Sequence, residues 1–198
     1  MSYFVTAIST DSGKSVVSAL LASSLGYNYW KPIQAGFPTD TEFIKTFDST
    51  VTTKEEQYVL QTACSPHEAA RIDKVRISAS EFSQPVGDFI VEGAGGVAVP
   101  INYEGETMLD IILNLKLPVV LVSNTYLGSI NHTLLTIEAL KNRSIKIHGI
   151  VFNGEENKGT ENIILEQTGI PFLFRLDKED KVDIDLIKKY KSAIKENF

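Results

Sequence analysis

The chain has 198 residues, 43% hydrophobic and 22% charged, with a formal net charge of −6. That length holds one domain with a sizeable core, and the acidic balance argues against broad electrostatic binding to nucleic acid or to an anionic membrane. The single cysteine, Cys64, excludes an intramolecular disulfide, and no apolar run reaches the length of a membrane span. The expected setting is cytoplasmic, with neither nucleic acid nor membrane as partner.

The first predicted element is the strand Tyr3-Phe4-Val5-Thr6-Ala7. The stretch TAISTDSGKS (6–15) follows, then a helix whose Val17, Leu20, Leu21, Ser24 and Leu25 share one face. A turn joining a buried strand to a helix N-terminus offers free amides and the positive end of the helix dipole to an anion. Within it, Gly13 lets the backbone approach a phosphate, Lys14 reaches the terminal phosphates, and Ser15 has a hydroxyl for Mg²⁺. Gly-Lys-Ser is a short match on its own. The strand before it and the helix after it are the context the motif requires.

A short strand ends at Trp30-Lys31-Pro32-Ile33-Gln34-Ala35-Gly36, which places Lys31 to contact a phosphate or a developing negative charge. Asp40 precedes Thr41-Glu42-Phe43, and its spacing fits either an N-cap or a magnesium ligand. The polar, Thr-rich stretch from Phe47 to Val59 predicts loop with part of a helix. The next strand is Asp88-Phe89-Ile90-Val91, and Glu92 at its end precedes Gly93-Ala94-Gly95-Gly96. A carboxylate there can hold Mg²⁺ while amides of the glycine-rich loop face a ligand. These glycines do not spell G-x-G-x-x-G, so a dinucleotide reading fails at this loop.

Met108, Ile111, Ile112 and Leu115 predict a helix, Pro118 to Val122 a strand, and Leu134, Leu135, Glu138 and Leu140 the helix after it. Ile147 to Phe152 reads as a strand. Ile184, Ile187, Lys191 and Ile194 mark a last amphipathic helix, with Lys188, Lys189 and Lys195 on its wet side. Strands apolar on both alternations are buried on both faces. The pattern therefore predicts a P-loop NTPase-like α/β fold: a doubly wound, mostly parallel sheet with helices on both faces, in one domain over 1–198. Such sheets bind ligands at the carboxyl ends of their strands. His67, His132 and His148 form no Ser-His-Asp or Cys-His device. His67 reads as a structural hydrogen-bonding residue, His132 as an interface or first-turn residue, Cys64 as a small packing residue and Trp30 as a core or interface aromatic.

In their order along the chain these motifs resemble the dethiobiotin synthetase family. The matching pieces are YFVTAISTDSGKS (3–15), KPIQAG (31–36), SPHEAA (65–70), VEGAGG (91–96), VPINYEGETMLD (99–110), LGSINHTLLT (127–136) and IVFN (150–153). The resemblance implies a homodimeric P-loop enzyme with its site at the subunit interface. Its substrates are 7,8-diaminononanoate, CO₂ or bicarbonate, and ATP with Mg²⁺; its products are dethiobiotin, ADP and phosphate. A substrate amine forms a carbamate, ATP phosphorylates it to a carbamic-phosphoric anhydride, and the second amine closes the ureido ring.

Carried over by motif, Thr10, Asp11, Ser12, Gly13, Lys14 and Ser15 hold ATP together with Glu92, Gly93 and Gly95, and Asn153 reads the adenine. Lys14 and Lys31 are the catalytic lysines, and Ser15, Asp40 and Glu92 the Mg²⁺ ligands. Lys31, Ala35 and Gly95 contact the substrate. Gly128, Ser129 and Asn131 receive its carboxylate tail from the neighbouring subunit. The sequence departs from the family pattern at Ala7, where the loop usually begins with glycine, and at Ala35, where a hydroxyl residue is frequent. Phe172 to Leu176 replaces a glycine and a proline-containing loop near the adenine. Two other classes use a P-loop: a switch or partitioning-type ATPase, which usually carries a further lysine early in the loop, and a nucleotide-binding module without turnover. No lysine stands between Ala7 and Gly13.

Overall fold

Strands β1 (Tyr3–Ala7), β2 (Asn28–Trp30), β4 (Thr53–Lys54), β6 (Phe89–Gly96), β7 (Val119–Asn124), β8 (Ile147–Asn153) and β9 (Phe172–Leu176) form one sheet in a computed structural model that describes all 198 residues. The strand order is β4-β2-β6-β1-β7-β8-β9 and every pairing is parallel; β3 (Ile33–Ala35) and β5 (Tyr58–Leu60) form a separate parallel pair. The helices are α1 (Lys14–Leu25), α2 (Asp40–Phe47), α3 (Pro66–Asp73), α4 (Met108–Leu115), α5 (Ser129–Asn142), α6 (Lys158–Thr168) and α7 (Asp185–Asn197).

All five residues of β1 are buried, because side chains alternate between two helix-covered faces. On one face Tyr3, Val5, Tyr29, Ile90 and Val120 pack with Val17, Leu20 and Leu21 of α1 and Leu186, Tyr190 and Ile194 of α7. On the other, Phe4, Trp30, Val91 and Val119 meet Ala69 of α3 and Met108, Ile111 and Leu115 of α4. Farther along that face, Leu121, Ile150 and Phe152 pack against Ile137 of α5 and Ile164 of α6. Each fully buried Val, Leu, Ile or Phe contributes about 1.5–3 kcal/mol, so two-sided burial outweighs the polar turns at the strand ends.

Several expectations need correction. The strand at Asp88–Val91 does not stop at Glu92: β6 continues through the glycines, with Gly96 opposite Ala7. A Cβ on Gly93 would stand 2.9 Å from the Phe4 ring, so the glycine permits a close crossing. The polar stretch after Phe47 contains β4, an edge strand, and leads into β5. Helix α5 buries Thr133, Thr136, Ile137 and Leu140, leaving Leu135 56% exposed and Glu138 on the surface. The threonines hide this stripe from a hydrophobic count; Thr133 Oγ1 lies 2.8 Å from Ser123 Oγ and donates to the Ser129 carbonyl at 2.7 Å. Helix α7 buries Leu186, Tyr190 and Ile194, while Ile184 lies outside it and is exposed; the lysines at 188, 189 and 195 face solvent. No helix is long and apolar enough to cross a membrane.

Candidate active site

The carboxyl ends of β1, β2 and β6 open onto a cavity of about 700 Å³. One wall is the turn after β1. Ala7, where a glycine was expected, is the last residue of that strand and carries no positive φ. The tight geometry falls later, at Asp11 (φ 57°) and Gly13 (φ 87°), and α1 begins at Lys14. Gly13 is needed twice: its φ lies in the left-handed region, and a Cβ there would collide with Asn153 Nδ2. The turn is tied to two other strand ends. Ser12 Oγ donates to Asn124 Oδ1 at 2.8 Å, and Asn153 Nδ2 donates to the Ser12 carbonyl at 2.9 Å.

A charged cluster forms the floor. Trp30 pairs with Val91 across β2 and β6, so the next residues, Lys31 and Glu92, emerge side by side. Lys31 Nζ lies 3.0 Å from Glu92 Oε1 and 2.6 Å from Asp40 Oδ2, and donates to the Gly93 carbonyl at 3.2 Å. Ser15 Oγ is 2.6 Å from Asp40 Oδ1 and 2.9 Å from Glu92 Oε1, with one proton to share between them. Tyr29 OH donates to Glu92 Oε2 at 3.0 Å. Lys14 is buried, and its Nζ reaches back to the Ser9 carbonyl at 3.4 Å.

Two lysines and Glu92 thus stand together out of bulk water, with Asp40 partly exposed beside them. Burial lowers the Lys14 pKa from the usual lysine value, against the pull of Glu92. Burial acts on Lys31 in the same sense, but Glu92 and Asp40 outweigh it and raise its pKa, which keeps the ammonium charged. Burial works to raise the Asp40 pKa, yet Lys31 beside it brings it below the ordinary range. Burial and then Glu92 push the Tyr29 phenol well above its usual value, so it stays a donor.

The two readings of Asp40 are now separable. Thr39 is the N-cap, its side chain accepting from the Glu42 amide, and Asp40 is the first helical residue with its carboxylate turned to Lys31 and Ser15. Ser15, Asp40 and Glu92 present only hard oxygen donors, the set that suits Mg²⁺.

Thr10, Asp11, Gly13, Lys14, Ser15, Lys31, Ala35, Asp40, Glu92 and Gly95 all line the cavity. Ser12 and Gly93 stand behind its wall, in contact through the bonds above. Asn153 lies on the far side of the turn. Beyond it, a second cavity of about 360 Å³ is lined by Thr125, Gly154 to Asn157, and Lys178. Gly128, Ser129 and Asn131 begin α5 and are not on the first cavity's wall; Ser129 Oγ is buried without a hydrogen-bond partner.

Cys64 is not a packing residue: it is exposed and stands at the cavity with Ala63 and Ser65. Trp30 is in the core. His67 Nδ1 is 3.0 Å from Ser65 Oγ, a structural contact, and His132 is in the first turn of α5 with Nδ1 2.6 Å from Tyr126 OH. Sequence reasoning missed Tyr29, Asn124 and Gln34. Gln34 Oε1 accepts from the Asp40 amide at 3.2 Å, and its Nε2 donates to the Gly36 carbonyl at 2.9 Å. Only the strand register could have signalled Tyr29.

A family described as AAA domain matches residues 1–184. A protein named ATP-dependent dethiobiotin synthetase from Cytophaga hutchinsonii is 45% identical over 202 aligned positions, covering 99% of this chain and 98% of that protein. One of the same name from Christiangramia forsetii is 42% identical, covering 96% of this chain and 93% of that protein. Among solved structures, a plasmid partition protein from Borrelia burgdorferi bound to AMPPNP is similar with a TM-score of 0.58 at 11% identity, covering 100% of this chain and 97% of that one. The septum site-determining protein MinD from Pyrococcus horikoshii, complexed with Mg-ADP, has a TM-score of 0.54 at 14% identity, covering 100% and 87%. At such identities the solved structures share the fold alone.

Proposed function

The chain belongs to the family of ATP-dependent dethiobiotin synthetases, and we propose that its cavity carries out the reaction of that name: 7,8-diaminononanoate, CO₂ and ATP are converted to dethiobiotin, ADP and phosphate. The observation that carries this reading is the convergence of Lys14, Lys31, Ser15, Asp40 and Glu92 on one cavity beside the phosphate-binding turn.

The proposed sequence needs no nucleophilic side chain. A substrate amine attacks CO₂, forming an N–C bond and releasing a proton. A carbamate oxygen then attacks the γ-phosphorus as the bond to ADP breaks. The second amine attacks the carbamate carbon, closing the ureido ring as phosphate leaves. What the protein must supply is alignment and charge compensation. The amides of residues 10–15 cradle the phosphates, and Lys14 moves from the Ser9 carbonyl to the γ-phosphate. Lys31, kept charged by its two carboxylates, faces the carbamate and the transferred phosphoryl group. Ser15, Asp40 and Glu92 would hold Mg²⁺, which when bound polarises the phosphoryl oxygens. Gly95 and the Ala35 backbone border the substrate; the missing hydroxyl at 35 leaves that edge to shape alone.

Asn153 keeps Oδ1 free for a base amino group while Nδ2 stays on the Ser12 carbonyl. The substrate's carboxylate meets Gly128, Ser129 and Asn131 at the start of α5 of a second subunit, where amides and dipole favour an anion. Exposed Tyr126, Leu127 and Leu135 beside that helix start support a homodimer, since association would cover them. Residues 1–198 act as one domain, and the single exposed cysteine suits the cytoplasm.

The test is turnover by purified protein. ADP release that requires both 7,8-diaminononanoate and CO₂, with dethiobiotin identified by mass spectrometry, is the expected result. No product with all substrates and Mg²⁺ present overturns the reading. Lys14→Ala is expected to lower kcat by about a hundredfold or more, the usual loss for one charge-stabilising group, while the fold persists.

A further inference from the structure

We infer that Tyr29 is a positioning residue: its hydroxyl fixes the Glu92 carboxylate so that one oxygen faces the cavity, and thereby sets how strongly nucleotide binding depends on a divalent cation. This rests on the assignment of Ser15, Asp40 and Glu92 as the cation's ligands.

The two residues are placed by strand register. Tyr29 is opposite Ile90 on β2 and β6, and Glu92 lies two residues farther along β6, so both side chains project from the same face. Two residues of strand advance about 7 Å, a distance that the ring and hydroxyl of tyrosine span and an aliphatic side chain does not. Tyr29 and Glu92 are both 0% exposed. The ring packs in the apolar cluster with Val5, Val17, Leu21 and Ile90, and its hydroxyl meets Glu92 Oε2 at 3.0 Å.

The carboxylate is divided by this arrangement. Oε2 takes Tyr29 on the core side, while Oε1 takes Lys31 Nζ at 3.0 Å and Ser15 Oγ at 2.9 Å on the cavity side. Neither Lys31 nor Ser15 bonds to Oε2. With Tyr29 reduced to phenylalanine, a buried anionic oxygen has no donor, and the carboxylate gains by rotating it toward Lys31 or Ser15. That rotation scrambles the oxygen presented to the cation. Outer partners that orient a ligating side chain typically affect metal affinity 10- to 100-fold.

The experiment measures binding rather than turnover. Calorimetry gives the Kd of AMPPNP in Mg²⁺ and in EDTA, and the ratio of the two reports the contribution of the cation. Binding of the cation to the free nucleotide is the same for every protein variant, so it cancels between them. Tyr29→Phe is expected to leave the EDTA value near that of the parent and to shrink the ratio about tenfold. Tyr3→Phe is the control: it loses a buried phenol from the same face, whose hydroxyl meets only Met1 Sδ, at 3.4 Å, and no carboxylate. It is expected to lower the melting temperature without changing the ratio. 3-Fluorotyrosine at position 29 keeps the donor and is expected to keep the parental ratio. A parental ratio in Tyr29→Phe, or a reduced one in the fluorotyrosine protein, overturns the role of Tyr29 alone. A parent protein with no Mg²⁺ dependence overturns the cation assignment and this inference together.

Discussion

Lys31 Nζ sits 2.6 Å from Asp40 Oδ2, an ion pair that fastens the first residue of α2 to the end of β2. The same ammonium serves Glu92, so one lysine compensates two carboxylates that also share the Ser15 hydroxyl. Lys31→Met keeps the length of the side chain and removes the charge. Breaking a buried pair by deleting one partner costs about 3–5 kcal/mol, and the partial exposure of Asp40 points to about 3. Urea unfolding in metal-free buffer near neutral pH is expected to show that loss, with Mg²⁺ restoring part of it and turnover still at least about a hundredfold down. A variant as stable as the parent would mean that the carboxylates do not depend on this lysine.

Gly13 makes a second prediction. Its φ of 87° costs a residue with a Cβ about 1–3 kcal/mol, and the added methyl also meets Asn153. Gly13→Ala is therefore expected to weaken binding of a fluorescent ATP analogue at least about tenfold. Because Asn153 also holds the Ser12 carbonyl and faces the base, the double variant is compared with Asn153→Ala alone. A smaller Gly13→Ala loss in the Asn153→Ala background than in the parent assigns the difference to the collision, and an equal loss assigns it to the backbone.

How far the sequence carried follows from what each signal depends on. β1, β7 and β8 were legible because residues such as Val5, Val120 and Ile150 are β-branched and buried on both faces, which needs no knowledge of neighbours. Lys14, Ser15, Lys31 and Glu92 were legible because each follows a strand at a place where such sheets bind ligands. Asp40 stayed open between two roles: its choice depends on Thr39 taking the cap, a contact that spacing does not encode. Tyr29 was invisible because it reaches Glu92 only once β2 and β6 are registered, and Gln34 because its bonds to Gly36 and Asp40 depend on how the turn between β3 and α2 folds back. The buried side of α5 was misread because its threonines satisfy their hydroxyls within the fold and look polar in sequence.

Gln34 braces the approach to Asp40 from β3. It is buried, and its amide joins the Asp40 N–H to the Gly36 carbonyl. Gln34→Ala leaves both without that partner, at about 1–3 kcal/mol. The expected outcome is a lower urea midpoint together with a KM for MgATP raised several-fold, because Asp40 loses its fixed position. A changed midpoint with an unchanged KM would confine Gln34 to stability.

The last prediction concerns α7. Tyr190 OH accepts from the Asp177 amide at 3.0 Å and donates to Glu179, joining the helix to the segment after β9. Burial first, and then Glu179, push its phenol from 10.0 up to about 12. A group whose folded pKa is raised contributes stability that is complete below its unfolded value and is lost as pH rises through the folded one. For Tyr190 that window runs from about pH 10 to 12. Melting temperatures of the parent are expected to fall more steeply across it than those of Tyr190→Phe. Below pH 9 the two curves run parallel, with the variant lower because the hydroxyl's bonds are gone. Equal slopes between pH 10 and 12 would mean that Tyr190 titrates in the folded chain as an ordinary tyrosine does.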